Sequence, residues 1–178
     1  MKVLFIHQNR PGQFAHLAPH LARQAGNEVT FLSKPAQEEV PDVKKIEYRL
    51  PEAKGEPHPF LKSLQDAVRH GHAVARAMSA MKNRDGYRPD IVFAHPGWGE
   101  ALFVKDVWPD APLLSYCEFY YHPFGADTNF DPKEPVKLET ILRIRTRNAL
   151  HLLNLHACDW GICPTHWQWR QHPVRLRE

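Results

Sequence analysis

Short apolar runs alternate along this chain with longer stretches whose apolar residues recur every three or four positions. Val3 to Ile6, Glu28 to Leu32, Ile46 to Leu50, Ile91 to Ala94, Leu113 to Tyr116 and Asp159 to Cys163 are too short for helices. Their β-branched and aromatic members fit strands, and Ile91 to Ala94 in particular fits a parallel strand buried on both faces. Between them, Phe14 to Ala25, Phe60 to Met81, Glu100 to Trp108, Val136 to His156 and Thr165 to Arg170 carry helical spacing. Gly26 supplies a C-terminal stop for the first helix, and Pro19 inside it should kink the helix or displace its start. Leu138, Ile141, Leu142, Ala149, Leu152 and Leu153 form the expected core stripe of the fourth helix, and Arg145 falls on that stripe. Strand and helix alternating from end to end predict an α/β domain with a mostly parallel, Rossmann-like sheet flanked by helices.

Three strand-end segments stand out for polar, aromatic and glycine content: 7–13, 95–100 and 118–132. Right-handed crossovers bring all three to the same edge of a parallel sheet, where such sheets bind ligands. His95, Gly97 and Trp98 form the middle segment. Taken alone, its Pro and Gly would only make a turn with His95 capping the strand. The recurrence of such loops favours a site. In the first loop, Gly12 allows close approach of a ligand before a helix N-terminus, and Arg10 can add charge-assisted hydrogen bonds, which suits a phosphate or a sugar hydroxyl. The third loop, with Glu118, Tyr120, Tyr121 and Asp127, has the length of a binding segment or lid. Arg145 could aim its guanidinium at an acid or phosphate, or simply snorkel.

Composition narrows the picture without deciding it. At 178 residues the chain suits one domain, 1–170, with a basic, proline-broken tail over 171–178 that has nothing to bury. The net charge of +3 is too small to argue for nucleic acid, though it would welcome an anionic ligand. No apolar run approaches the roughly 18 residues of a membrane span, and the apolar start is too short for a signal peptide, so a cytoplasmic location is expected. Cys117, Cys158 and Cys163 are unpaired in spacing and fit buried thiols. His16 and His20 are four apart, but no metal motif surrounds them, and no metal or cofactor is expected. GxGxxG, GxxxxGK[ST] and GxSxG are all missing, which disfavours NAD binding, nucleotide hydrolysis and a serine-hydrolase elbow.

The opening KVLFIHQNRPGQFAHLAPHLARQAGNEVTFL resembles the amino-terminal domain of family 4 glycosyltransferases, a GT-B group. The resemblance continues through DIVFAHPGWGEALFVKDVWPDAPLLSYCEFYYHPFGADTNFDP into ACDWGICPTHWQW, almost the whole chain. It implies one half of a two-domain, retaining, metal-independent transferase whose amino-terminal half holds the acceptor. The nucleotide-sugar donor would be shared with a carboxyl-terminal half that this sequence lacks, and the acceptor would be a saccharide or a lipid-linked sugar. By position, Gly12 matches the loop that approaches the donor phosphates, and His95 the polar residue ending the fourth strand. Many members carry a His at the end of the fifth strand, where Glu118 stands here. Glu118 and His95 are thus the expected catalytic pair, with Arg10, Gly12, Gly97, Trp98, Tyr120, Tyr121, Asp127 and Arg145 as substrate-binding residues. A lipid-linked acceptor would bring Arg143, Arg145 and Arg147 with Phe119, Tyr120 and Tyr121 to the inner face of a membrane. A binding or scaffold domain of the same fold without catalysis is the competing expectation.

Overall fold

The computed structural model describes residues 1–177 apart from 36, 37, 54, 127, 132 and 134. Its strands are β1 (Lys2–Ile6), β2 (Glu28–Ser33), β3 (Lys44–Glu47), β4 (Ile91–Ala94), β5 (Leu113–Tyr116) and β6 (Trp160–Ile162). All five strand pairings are parallel, in the order β3-β2-β1-β4-β5-β6. Val3, Phe5, Phe31 and Phe93 point to one face, against Phe14 and Ala18. Leu4, Ile6, Leu32, Val92 and Ala94 point to the other, against Val74, Met78, Met81 and Val104. Both faces of the central strands are therefore dry, which explains their continuous apolar runs. Strand order reverses between β1 and β4, and a crevice opens there at the carboxyl ends.

The helices are α1 (Leu17–Ala22), α2 (Lys62–Arg84), α3 (Val104–Val107), α4 (Leu138–Ala157) and α5 (His166–Gln171). Pro19 displaces the start of α1, as its missing N–H allows in a first turn, and a 3-10 turn, Gly12–Phe14, precedes it. The third strand begins at Lys44 rather than Ile46, because Thr30 pairs with Lys44 and the chain leaves the ladder at Tyr48, which turns inward. The helix expected over 100–108 shrinks to α3, since Gly99 at φ +99° forces a turn ahead of it. Residues 172–177 are no loose tail: His172 is buried and the chain curls through a final 3-10 turn, Val174–Leu176.

The expected face of α4 is overturned. Leu138, Leu142, Leu152 and Leu153 are exposed, while Ile144, Asn148, Leu150, His151 and Asn154 are buried. The buried face mixes Ile144 and Leu150 with polar groups, and two of those, Asn148 and Asn154, meet loop backbone whose polar atoms need partners. Asn148 accepts from the Tyr121 N–H at 3.0 Å and donates to the Tyr121 carbonyl at 2.7 Å. Asn154 donates to the Pro96 carbonyl at 3.3 Å. Arg145 lies on the exposed side of this helix.

Helix α2 approaches the 95–100 loop closely at Gly71 and Gly99. A Cβ at Gly71 would lie 2.7 Å from the Gly99 carbonyl, and one at Gly99 would drive into the Ala67 backbone. Gly99→Ala should therefore cost about 3 kcal/mol or more, through strain plus displacement of α2. Gly86→Ala, at φ +63° with open space around it, should cost only about 1 kcal/mol. Urea denaturation of the two variants checks this; equal losses would contradict the close approach.

Candidate functional site

The register of the two central strands builds the site. Phe5 pairs with Phe93 and Ile6 with Ala94, so the next residues, His7 and His95, emerge side by side with ring centroids 5.3 Å apart. Each ring packs against its own loop's glycine: a Cβ at Gly12 would lie 2.7 Å from the His7 ring, and one at Gly97 would lie 2.6 Å from the His95 ring. Gly12 is also held at φ +51°, where a side chain would be strained. Trp98 stacks on His95 at 4.4 Å between centroids.

Hydrogen bonding fixes the tautomer of His95. Its Nδ1 accepts from the Gly97 N–H at 3.0 Å, so the ring proton sits on Nε2 and is donated to Glu118 Oε2 at 3.0 Å. Gln13 Nε2 donates to the same oxygen at 3.1 Å. Three strand-end loops thus meet on one carboxylate. Glu118 Oε2 is saturated and Oε1 is left for a ligand.

Beyond this cluster opens a cavity of about 590 Å³. His95, Gly97, Trp98 and Glu118 line one side; Phe119 and Tyr121, stacked on each other at 5.8 Å, add flat apolar surface. Arg147 lies 3.7 Å over the Tyr121 ring and donates to its hydroxyl at 2.7 Å. Ser63, Asp66, Arg69 and His70 of α2 and His151 of α4 close the remaining walls. A carboxylate, imidazoles and aromatic faces in one such hollow suit a polyhydroxylated ring, held by hydrogen bonds at its edge and stacking on its face.

Of the residues singled out in the sequence, His95, Gly97, Trp98, Glu118 and Tyr121 are brought together here. Gly12 lies just behind, under His7. Arg10 turns inward, donating to the Glu38 carbonyl at 2.6 Å and to Ser33 Oγ at 3.3 Å, so it braces the loop after β2. Tyr120 and Arg145 line a separate shallow depression on the outer side of the 120–123 segment. Asp127 lies outside the described residues. Phe119 and Arg147, expected only at a membrane surface, also line the cavity, whereas His7, Gln13, His70 and His151 were not singled out. For His7 a signal existed: Phe-Ile-His at 5–7 and Phe-Ala-His at 93–95 are two strand ends of one design.

Among the described residues, no group of three or more His, Cys, Asp or Glu could hold a metal ion. Nor is any helix among them long and apolar enough to cross a membrane.

Comparison with known proteins decides the family. Residues 25–178 match the model of the glycosyl transferase family 4 group. The chain belongs to that family. Solved structures with the same fold include UDP-GlcNAc 2-epimerase from Neisseria meningitidis bound to UDP-GlcNAc, at TM-score 0.54 and 11% identity, covering 96% of this chain and 42% of that one. Another is UGT2 of Phytolacca americana complexed with UDP-2fluoro-glucose and pterostilbene, at TM-score 0.55 and 11% identity, covering 98% and 52%. Likeness at that identity is one of fold, and the family 4 chain spans about half the length of these structures or less. No curated protein sequence matches it. The Rossmann-like sheet is thus that of GT-B proteins.

Burial keeps the site's imidazoles neutral. Desolvation, reinforced by the neighbouring His95, pushes His7 down to about 4 from the ordinary histidine value of 6.5. Desolvation likewise brings His151 to about 4, and lowers His95 against the pull of Glu118. A histidine whose folded pKa is depressed binds protons more weakly folded than unfolded, so its contribution is intact above pH 6.5 and is lost as pH falls toward 4. For His7 and His151 the loss should be on the order of 3 kcal/mol each. Urea unfolding across that range checks it, with His151→Gln removing part of the slope; a flat profile would contradict burial of neutral rings.

Proposed function

We propose that this chain is the acceptor-binding half of a glycosyltransferase, a domain spanning 1–170 and its short C-terminal segment. It would transfer sugar, with retention at the anomeric carbon, from a nucleotide-sugar donor to a saccharide or lipid-linked acceptor. The convergence of His95, Gln13 and Glu118 at the mouth of an aromatic-lined cavity carries this reading. The transfer breaks the bond from the anomeric carbon to the nucleoside diphosphate and forms one to an acceptor oxygen, with positive charge building on the sugar ring between the two events. A carboxylate with one oxygen saturated by two donors and the other open supports two tasks: orienting an acceptor hydroxyl and offsetting that charge. His95 and Gln13 act behind it, preorganising the carboxylate.

The donor's nucleotide would be held by a second, C-terminal domain facing the same sheet edge. Support comes from the fold relatives, which are about twice this length and were solved with UDP-GlcNAc and UDP-2fluoro-glucose bound. Such chemistry belongs on the cytoplasmic side of a membrane when the acceptor is lipid-linked. Exposed Phe119, Phe124, Leu138 and Leu142, interspersed with Arg143 and Arg145, offer the apolar and basic groups that peripheral contact requires.

The test uses the complete two-domain protein. Glu118→Gln should lower kcat/KM by about 10²- to 10³-fold, with the folded state unchanged by circular dichroism. His95→Asn should cost less, because it acts through Glu118. Full transfer by the Glu118→Gln protein would sink the assignment. A complete protein that binds acceptor but turns nothing over would make this a non-catalytic binding domain instead.

A further inference from the structure

A second set of hydrogen-bonded side chains reaches the same cavity from helix α2. Glu100 is buried, and its Oε1 accepts from the Tyr48 hydroxyl at 2.8 Å. The same hydroxyl lies 2.8 Å from His70 Nδ1, which in turn is 3.5 Å from Glu100 Oε1. The three residues come from the end of β3, the middle of α2 and the loop after β4. The Gly71–Gly99 approach holds α2 and that loop together one residue from His70 and one from Glu100.

Proton accounting fixes the ring. The Tyr48 hydroxyl donates to Glu100 Oε1 and spends its single proton there. Tyr48 can then only accept from His70, which puts the imidazole proton on Nδ1. A lone pair at Nδ1 would instead face both the hydroxyl oxygen and the carboxyl. Nε2 is left as a bare acceptor, and His70 lines the cavity. Burial, with Lys34 and Arg69 nearby, lowers the His70 pKa and keeps the ring neutral. His95 is the reverse case: its Nε2 proton is committed to Glu118.

We propose that His70 Nε2 is a positioning group that accepts a hydrogen bond from a ring hydroxyl of the acceptor sugar, its tautomer set by Tyr48 and Glu100 behind it. This rests on the reading of the cavity as an acceptor site. It gives that site two anchors of like demand, the open Glu118 oxygen and the bare His70 nitrogen. Both accept from hydroxyls. A pyranoside with free hydroxyls on two edges satisfies both, and a deoxy sugar lacking one leaves an anchor empty.

The experiment is imidazole nitrogen NMR on the whole 178-residue chain labelled with ¹⁵N-histidine, titrated with methyl glucoside, methyl galactoside and methyl mannoside. His70→Gln assigns the His70 signals. The free chain should show the Nδ1–H tautomer at His70, and Tyr48→Phe should turn it into a mixture. With at least one glycoside the Nε2 resonance should move saturably. His70→Leu should weaken that binding by about five- to tenfold, and His70→Gln, which keeps an acceptor there, should restore most of it. An Nε2–H tautomer in the free chain overturns the proposal. So does a titration that moves the His95 signals and leaves His70 still; the acceptor reading of the cavity would then survive without His70. If no imidazole responds to any glycoside, both fall together.

Discussion

Parallel pairing between β1 and β4 brings two unrelated parts of the sequence, residues 3–6 and 91–94, into one register with Phe5 opposite Phe93 and Ile6 opposite Ala94. The burial that drives it is complete: Val3, Leu4, Phe5 and Ile6 are wholly inaccessible to water. Because the pairing is at the point where strand order reverses, the chains leaving these two strands diverge and a gap opens between them. A slip of one residue would flip every side chain to the other face and separate His7 from His95. The site's geometry is thus inherited from core packing rather than built by local loop preference.

What the central strands open, two helices enclose. Helix α2 is drawn in by the absence of side chains at Gly71 and Gly99, and it brings His70 to the wall. Helix α4 is drawn in by amides: Asn148 offers Tyr121 both a donor and an acceptor, as a neighbouring strand would, and so holds an otherwise irregular segment in place. The result is a hollow whose polar groups are oriented before any ligand arrives, the condition under which a carboxylate or an imidazole gives its full effect.

The central strands were legible because burial on both faces leaves a short, continuous apolar run, closed by His7 in β1 and His95 in β4, whereas β6 is exposed. That His95, Gly97, Trp98, Glu118 and Tyr121 would meet was legible because parallel strands with right-handed crossovers bring their carboxyl-end loops to one edge. The α4 stripe misled, since apolar periodicity marks the face that could meet a core. Here the buried face turned to Ile144 and Leu150, with Asn148 and Asn154 bonding loop backbone. Arg10 misled for a related reason: a charged side chain in a loop looks free until its carbonyl partners are known. His70, Tyr48 and Glu100 are 52 residues apart at their extremes, and only the fold makes a cluster of them.

The central claim is that one hollow, at the reversal of strand order, receives the acceptor sugar. Amide chemical-shift mapping tests it most directly, on the 178-residue chain titrated with methyl glucoside, methyl galactoside and methyl mannoside as acceptors. The account predicts saturable changes gathered at residues 7–13, 95–100, 118–121 and the α2 and α4 faces around His70 and His151. Changes gathered instead along β6 and α5, with the strand-end loops silent, would contradict it.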